Sequence, residues 1–113
     1  DNLDLVLQRL KTEHPNKKIE LEVDTFHQLK NLLHSLSVPL DAILLDNMEP
    51  TETMQCTKFI RQHLPGCFIE SSGGINLNNI LNYTDVDVDG ISIGALTHQS
   101  QSKNIKLEFK FHD

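Results

Sequence analysis

Short apolar runs alternate along this chain with segments of helical period, and few architectures accept that order. Four runs have strand length and are bounded by turn or cap residues, at positions 18–24, 41–46, 67–71 and 88–94. Behind Asp24 and Thr25, which read as cap residues, Phe26, Leu29, Leu32, Leu33 and Leu36 form one helical stripe. A second helical segment starts near Pro50, a residue favoured in a first turn, and carries Met54, Phe59, Ile60 and Leu64. A third is short, starts near Asn76 and uses Leu77, Ile80 and Leu81. An opening helix over about 3–13 precedes them all. Strands alternating with helices imply parallel β-α-β units with right-handed crossovers. Glu22, Asp46, Glu70 and Gly94 recur every 24 residues. The units share little sequence, so the spacing is architectural.

Side-chain alternation narrows the choice further. Ile19, Leu21 and Val23 share one face of the first strand, and Glu20, Glu22 and Asp24 share the other. In the last run Ile91 and Ile93 alternate with Gly90, Ser92 and Gly94. An open α/β sheet buries both faces under helices and favours apolar residues on each. A barrel turns one face toward its axis and places functional groups at the C-terminal strand ends. The expected fold class is therefore α/β, with parallel βα repeats forming part of a TIM-barrel-like α/β barrel. Four strands leave that barrel incomplete, so the chain reads as a piece of a longer one.

Composition removes several functions. The 113 residues suffice for one modest domain. A formal net charge of −6 argues against a nucleic-acid surface. No apolar run is long enough for a membrane helix, and the first residues lack a secretory pattern. Cys56 and Cys67 have no paired spacing and read as buried thiols rather than a disulfide. His14, His27, His34 and His63 fall on predicted helices or their ends, without the spacing of a zinc site, and read as surface or packing residues.

Two constellations carry chemistry. Glu22, Asp46 and Glu70 stand at or near the C-terminal ends of successive predicted strands, where a barrel would aim them at one mouth. A strand commonly ends in an acid as it emerges into water, but three in one register favour a site. Clustered carboxylates need a cation, and a hard ion such as Mg²⁺ arriving with a phosphorylated substrate suits them. In the second constellation, Ser72, Gly73 and Gly74 follow a strand and precede the short helix. Backbone N–H groups at a helix start suit a phosphate, and glycine permits close approach. Gly94 and Ala95 are expected at the next strand end, completing a phosphate cup.

The segments Ile-Glu-Leu-Glu-Val-Asp (19–24), Leu-Leu-Asp-Asn-Met (44–48), Glu-Ser-Ser-Gly-Gly-Ile (70–75) and Ile-Ser-Ile-Gly-Ala-Leu-Thr-His (91–98) resemble the quinolinate phosphoribosyltransferases. They occur in that family's order and cover nearly the whole chain. The resemblance implies that residues 1–113 are the C-terminal part of the barrel domain, without the N-terminal domain and first barrel strands. It implies transfer of the phosphoribosyl group of phosphoribosyl pyrophosphate to quinolinate, with loss of pyrophosphate and CO2, giving nicotinate mononucleotide for NAD synthesis. Glu22 and Asp46 would then be the catalytic carboxylates, facing the ribose and the Mg²⁺–pyrophosphate and favouring positive charge on the ribose. Ser72, Gly73, Gly74, Ile93, Gly94 and Ala95 would hold a phosphate, with Glu70 beside the cup. His98 would lie near the mouth, where packing is its first role. The resemblance further implies a cytoplasmic homodimer or larger homo-oligomer.

Quinolinate and the donor are polyanions, so their site needs several Arg and Lys. The family draws these from its N-terminal domain, earlier strands and a neighbouring subunit. Lys17, Lys18 and Arg61 are expected at helix ends or the opposite mouth. The isolated chain is accordingly expected to be inactive. Three other readings share parts of this pattern. They are a paralogous phosphoribosyltransferase acting on another base, another phosphate-binding barrel enzyme, and a non-catalytic half-barrel that binds a phosphate ligand. An aldolase or isomerase would place a lysine or a general base at a strand end, and no lysine stands at one here.

Overall fold

All four apolar runs become neighbouring parallel strands. The computed structural model describes residues 2–96 and 104–110. Helix α1 (Asn2–Glu13) leads into β1 (Glu20–Val23), α2 (Phe26–Ser35), β2 (Ala42–Asp46), α3 (Pro50–His63) and β3 (Phe68–Ser72). A single 3-10 turn (Ile80–Tyr83), β4 (Gly90–Leu96) and β5 (Asn104–Lys110) complete the order. The sheet runs β1-β2-β3-β4-β5, with the first three pairings parallel and β5 antiparallel to β4. Strands β1 to β4 form the parallel βα wall of an incomplete α/β barrel.

Burial is concentrated on one face of the sheet. Ile43, Ile69, Ile91 and Ile93 are fully buried, and Val23 and Leu45 nearly so. In the ladder, Val23 faces Leu45, Leu45 faces Ser71, and Ser71 faces Ile91. The opposite face carries Glu20, Ala42 and Phe68 in one row, and Glu22, Leu44, Glu70 and Gly90 in the next. Glu20 and Glu22 are exposed there. Full burial of an aliphatic side chain contributes roughly 1.5–3 kcal/mol, so the apolar face dominates the energetics and leaves the other open to polar groups.

The helices explain themselves locally. Thr25 Oγ1 accepts the Gln28 N–H at 3.0 Å, and Gln28 Oε1 turns back to accept the Asp24 N–H at 2.6 Å. Glu52, from α3, accepts the Phe26 N–H at 2.8 Å, so one helix caps the start of the other. Phe26 and Phe59 pack edge to face at 5.8 Å between these helices. The buried stripe of α3 is Thr53, Cys56, Thr57 and Ile60. Met54, expected in that stripe, is exposed. The two threonines are tolerated inside because each donates to a carbonyl of its own helix, Glu49 at 2.9 Å and Met54 at 3.0 Å. Cys56 and Cys67 are free thiols, as expected, and burial pushes them up to about 12 and about 11.

Cross-braces fix the N-terminal strand ends. Asp41, just before β2, accepts the Ile19 N–H at 2.6 Å, and Asp89, just before β4, accepts the Ile69 N–H at 2.8 Å. Each acid has a cation, Lys11 at 3.8 Å and Arg61 at 2.8 Å. Arg61 also donates to the carbonyls of Cys67 at 3.2 Å and Asp87 at 3.0 Å. Burial disfavours its charge, but hydrogen bonding and attraction to Asp89 and Asp87 outweigh that and hold its pKa above the usual arginine value. Lys18 lines a cleft at the same end with Glu20, Ala42 and Phe68.

Three features depart from expectation. β4 continues past Gly94 to Leu96, because β5 extends the ladder beyond the last β3 partner, Ile91. β5 itself was not expected, although Ile105, Leu107 and Phe109 alternate with charged residues in the sequence. No α-helix forms at 76, where a turn leads into the 3-10 segment. Replacing Asp89 with alanine is expected to lower stability by about 2–4 kcal/mol, since Arg61 and the Ile69 amide lose their shared partner. Urea unfolding measures this, and a loss below about 0.5 kcal/mol would show the brace to be idle.

Candidate active site

Glu22 and Asp24 stand two residues apart on the open side of β1 and its end, and Asp46 ends the adjacent β2. One carboxylate oxygen from each lies within 4.8 Å of the others. Glu22 and Asp24 are exposed and Asp46 is half-buried. Three like charges at this spacing repel one another, so the group favours a cation. Its all-oxygen donors suit a hard divalent ion.

The predicted trio was Glu22, Asp46 and Glu70, and the structure divides it. Glu70 sits in the same row as Glu22, while Asp46 is one row nearer the strand ends, beside Ser72. Glu70 is buried and accepts a hydrogen bond from the buried Ser92 hydroxyl. Asp24 takes the third place in the cluster. Read as a cap from its position, it is released by Thr25, which does the capping. The alternation Glu20-Glu22-Asp24 already put it on the face of Glu22.

The glycine loop packs directly against this cluster. Gly73 and Gly74 have φ of 79° and 72°, a conformation that side chains disfavour. A Cβ on Gly73 would lie 2.6 Å from Asp46 Oδ1, and one on Gly74 would lie 2.8 Å from Asn47 Oδ1. The Asn47 N–H donates to the Ser72 carbonyl at 2.7 Å, tying the ends of β2 and β3 together. Asn79 bolts the loop from the far side, its Nδ2 donating to the Gly74 carbonyl at 2.8 Å.

A helix N-terminus was expected behind these glycines, and its place is taken by side chains. Asn76 Oδ1 accepts the N–H groups of Asn78 at 2.8 Å and Asn79 at 3.2 Å, and Asn79 Oδ1 accepts the Asn76 N–H at 2.8 Å. These amides are therefore already engaged, and no helix dipole adds to the glycine backbone. Leu77 and Leu81, expected to pack, are exposed. A cleft of about 320 Å³ runs between Asn47, Glu49, Gly73, Gly74, Asn79 and Tyr83.

On β4 the Ile93 side chain is buried in the apolar layer, so only its backbone could meet a ligand. Gly94 and Ala95 lie inside the strand, opposite Lys106 and Ile105 of β5, rather than at a strand end. His98 falls outside the described residues. Lys11, Lys18 and Arg61 all gather at the other end of the sheet.

Residues 1–108 match the family model for the C-terminal domain of quinolinate phosphoribosyl transferase. The chain belongs to this family. It is 43% identical over 96 residues to a probable nicotinate-nucleotide pyrophosphorylase (carboxylating) of Methanocaldococcus jannaschii, covering 81% of this chain and 33% of that protein. With the nicotinate-nucleotide pyrophosphorylase (carboxylating) of Mycobacterium leprae it shares 32% identity over 102 residues, covering 90% and 35%. Among solved structures, the nicotinate-nucleotide pyrophosphorylase of Ehrlichia chaffeensis superposes with a TM-score of 0.66 at 31% identity, covering 93% of this chain and 36% of that one. That of Francisella tularensis gives 0.68 at 23% identity, covering 96% and 37%, and so attests the fold. The chain spans about a third of the length of these relatives. The family read from the four motifs is thus established, and the fold with it.

Within this family member, Gly73→Ala is expected to reduce stability by about 1–3 kcal/mol, since it combines an unfavourable φ with a clash against Asp46. A thermal midpoint equal to the parent's would show that the two strand ends are not in close contact.

Proposed function

We propose that this chain supplies the acidic wall and part of the phosphate-binding rim of an enzyme that transfers a phosphoribosyl group to quinolinate. The observation that carries this reading is the Glu22–Asp24–Asp46 cluster set against the Gly73–Gly74 loop, in a member of the quinolinate phosphoribosyltransferase family. The quinolinate nitrogen attacks the anomeric carbon of phosphoribosyl pyrophosphate and the C–O bond to pyrophosphate breaks. The adduct then loses CO2, and the ring carbon that carried it takes up a proton from solvent, giving nicotinate mononucleotide. Positive charge develops on the ribose ring as pyrophosphate departs, and Glu22 and Asp46 stabilise it electrostatically. Ser72, Gly73 and Gly74, with the backbone of Ile93, Gly94 and Ala95, hold the sugar phosphate, and Glu70 supports the rim through Ser92.

Glu22 and Asp46, joined by Asp24, are the residues that would hold Mg²⁺. Their oxygen donors fit that ion, which when bound offsets the charge of the leaving pyrophosphate. Arg and Lys for the two anionic substrates come from earlier parts of a longer protein or from a neighbouring copy. A cytoplasmic homodimer or larger homo-oligomer belongs to the same proposal, as does inactivity of residues 1–113 alone.

The test is nicotinate mononucleotide formation by the full-length protein containing this chain, from quinolinate, donor and Mg²⁺. Glu22→Ala and Asp46→Ala are each expected to reduce kcat/KM by about a hundredfold or more. Undiminished turnover in both variants would refute the acidic wall. Donor binding without turnover of quinolinate would move the reading to a paralogous transferase with another base.

A further inference from the structure

Two non-glycine residues among those described have left-handed backbones, Asn47 at φ 57° and Asp87 at φ 62°. Such conformations persist where surrounding contacts over-determine them, and they gather at functional sites. Asp87 has a structural explanation. It lies at the N-terminal end of the sheet, where Arg61 reaches both its carboxylate at 3.4 Å and its carbonyl at 3.0 Å. Asn47 lies at the opposite end, directly after Asp46.

The turn at Asn47 is held from two sides. Its N–H donates to the Ser72 carbonyl at 2.7 Å. The next carbonyl, of the buried Met48, accepts the buried Tyr83 hydroxyl at 2.8 Å. The chain reversal this enforces has a specific result. It brings Asp46 Oδ1 within 2.6 Å of where a Gly73 Cβ would be, and Asn47 Oδ1 within 2.8 Å of a Gly74 Cβ. The acid and the glycine loop therefore meet with no room to slide.

We infer that Asn47 is a positioning residue, whose left-handed turn fixes the Asp46 carboxylate relative to the Gly73–Gly74 loop. The inference rests on the phosphoribosyltransferase reading of Asp46 and of the glycine loop. In that reading the two groups serve opposite ends of one donor, the pyrophosphate and the sugar phosphate. Their separation then matters only to a ligand that spans both. Asparagine and glycine accept a left-handed backbone, alanine does so less readily, and β-branched valine least of all.

The experiment measures binding of three probes to the full-length protein with Mg²⁺ by calorimetry: phosphoribosyl pyrophosphate, pyrophosphate alone and ribose 5-phosphate alone. Asn47→Val is expected to weaken the whole donor by about tenfold or more, while each part binds within about threefold of the parent. In steady state the same variant raises the donor KM more than it lowers kcat. Asn47→Gly is expected to bind all three probes within about threefold of the parent, because it keeps the backbone. Asn47→Ala should fall between, and it carries the test if the valine variant does not fold. The inference is overturned if glycine is as damaging as valine and alanine, which would mean the amide itself is needed. It is equally overturned if donor and parts weaken together, or if no variant differs from the parent. Asp46→Ala and Glu22→Ala arms separate the two levels. If Mg²⁺–pyrophosphate binding survives both Asp46→Ala and Glu22→Ala, the acidic-wall reading fails and takes this inference with it. Should Asp46→Ala abolish that binding while the Asn47 variants stay silent, only the positioning role is lost.

Discussion

A parallel sheet can carry carboxylates on one face only if the other face does all the apolar burial. Ile43, Ile69, Ile91 and Ile93, with Val23 and Leu45 beside them, meet that condition. Their rows anchor the strands under α2 and α3 and leave the opposite face largely open, the buried Glu70–Ser92 pair apart. Glu20, Glu22 and Asp46 can then be present without being sealed in, and a charge that is not sealed in escapes the desolvation cost of a buried one. The exposure of these carboxylates follows from this division of labour between faces.

The two ends of the sheet are electrostatically unlike. At the N-terminal end Asp41 and Asp89 bond strand amides and meet Lys11 and Arg61. At the C-terminal end Glu22, Asp24 and Asp46 crowd one another while those cations stand at the far end. The same residue types therefore stabilise the fold at one end and form an exposed like-charge cluster at the other. A net charge of −6 accords with that excess of acids over bases.

Much of this was legible because strand period and helix period differ. The four parallel strands and the three longer helices came directly from apolar spacing, the free thiols from the absence of a paired cysteine spacing, and the four motifs led to the family that the comparisons establish. What escaped depended on neighbours rather than on local pattern. Glu70 was grouped with Asp46 because both near a strand end, but register places Glu70 one row lower, against Ser92. Asp24 was read as a cap because Asp and Thr are both good caps, and only the geometry shows Thr25 taking the amide. The expected helix at Asn76 gave way to the pairing of Asn76 with Asn79, since asparagine competes for backbone amides. β5 and the extension of β4 follow from antiparallel pairing across residues whose own alternation was visible but short.

On the proposed function, the open face holds a cation and a pyrophosphate group at Glu22, Asp24 and Asp46. The most direct measurement is the crystal structure of the full-length protein with phosphoribosyl pyrophosphate and Mn²⁺ in place of Mg²⁺, using anomalous scattering to locate the ion. The expected result is an anomalous peak beside this cluster, from an ion bound to at least one of the three carboxylates directly or through water and shared with the pyrophosphate. A donor bound with its ion elsewhere, and with neither Glu22 nor Asp46 near the ribose or the ion, would contradict it.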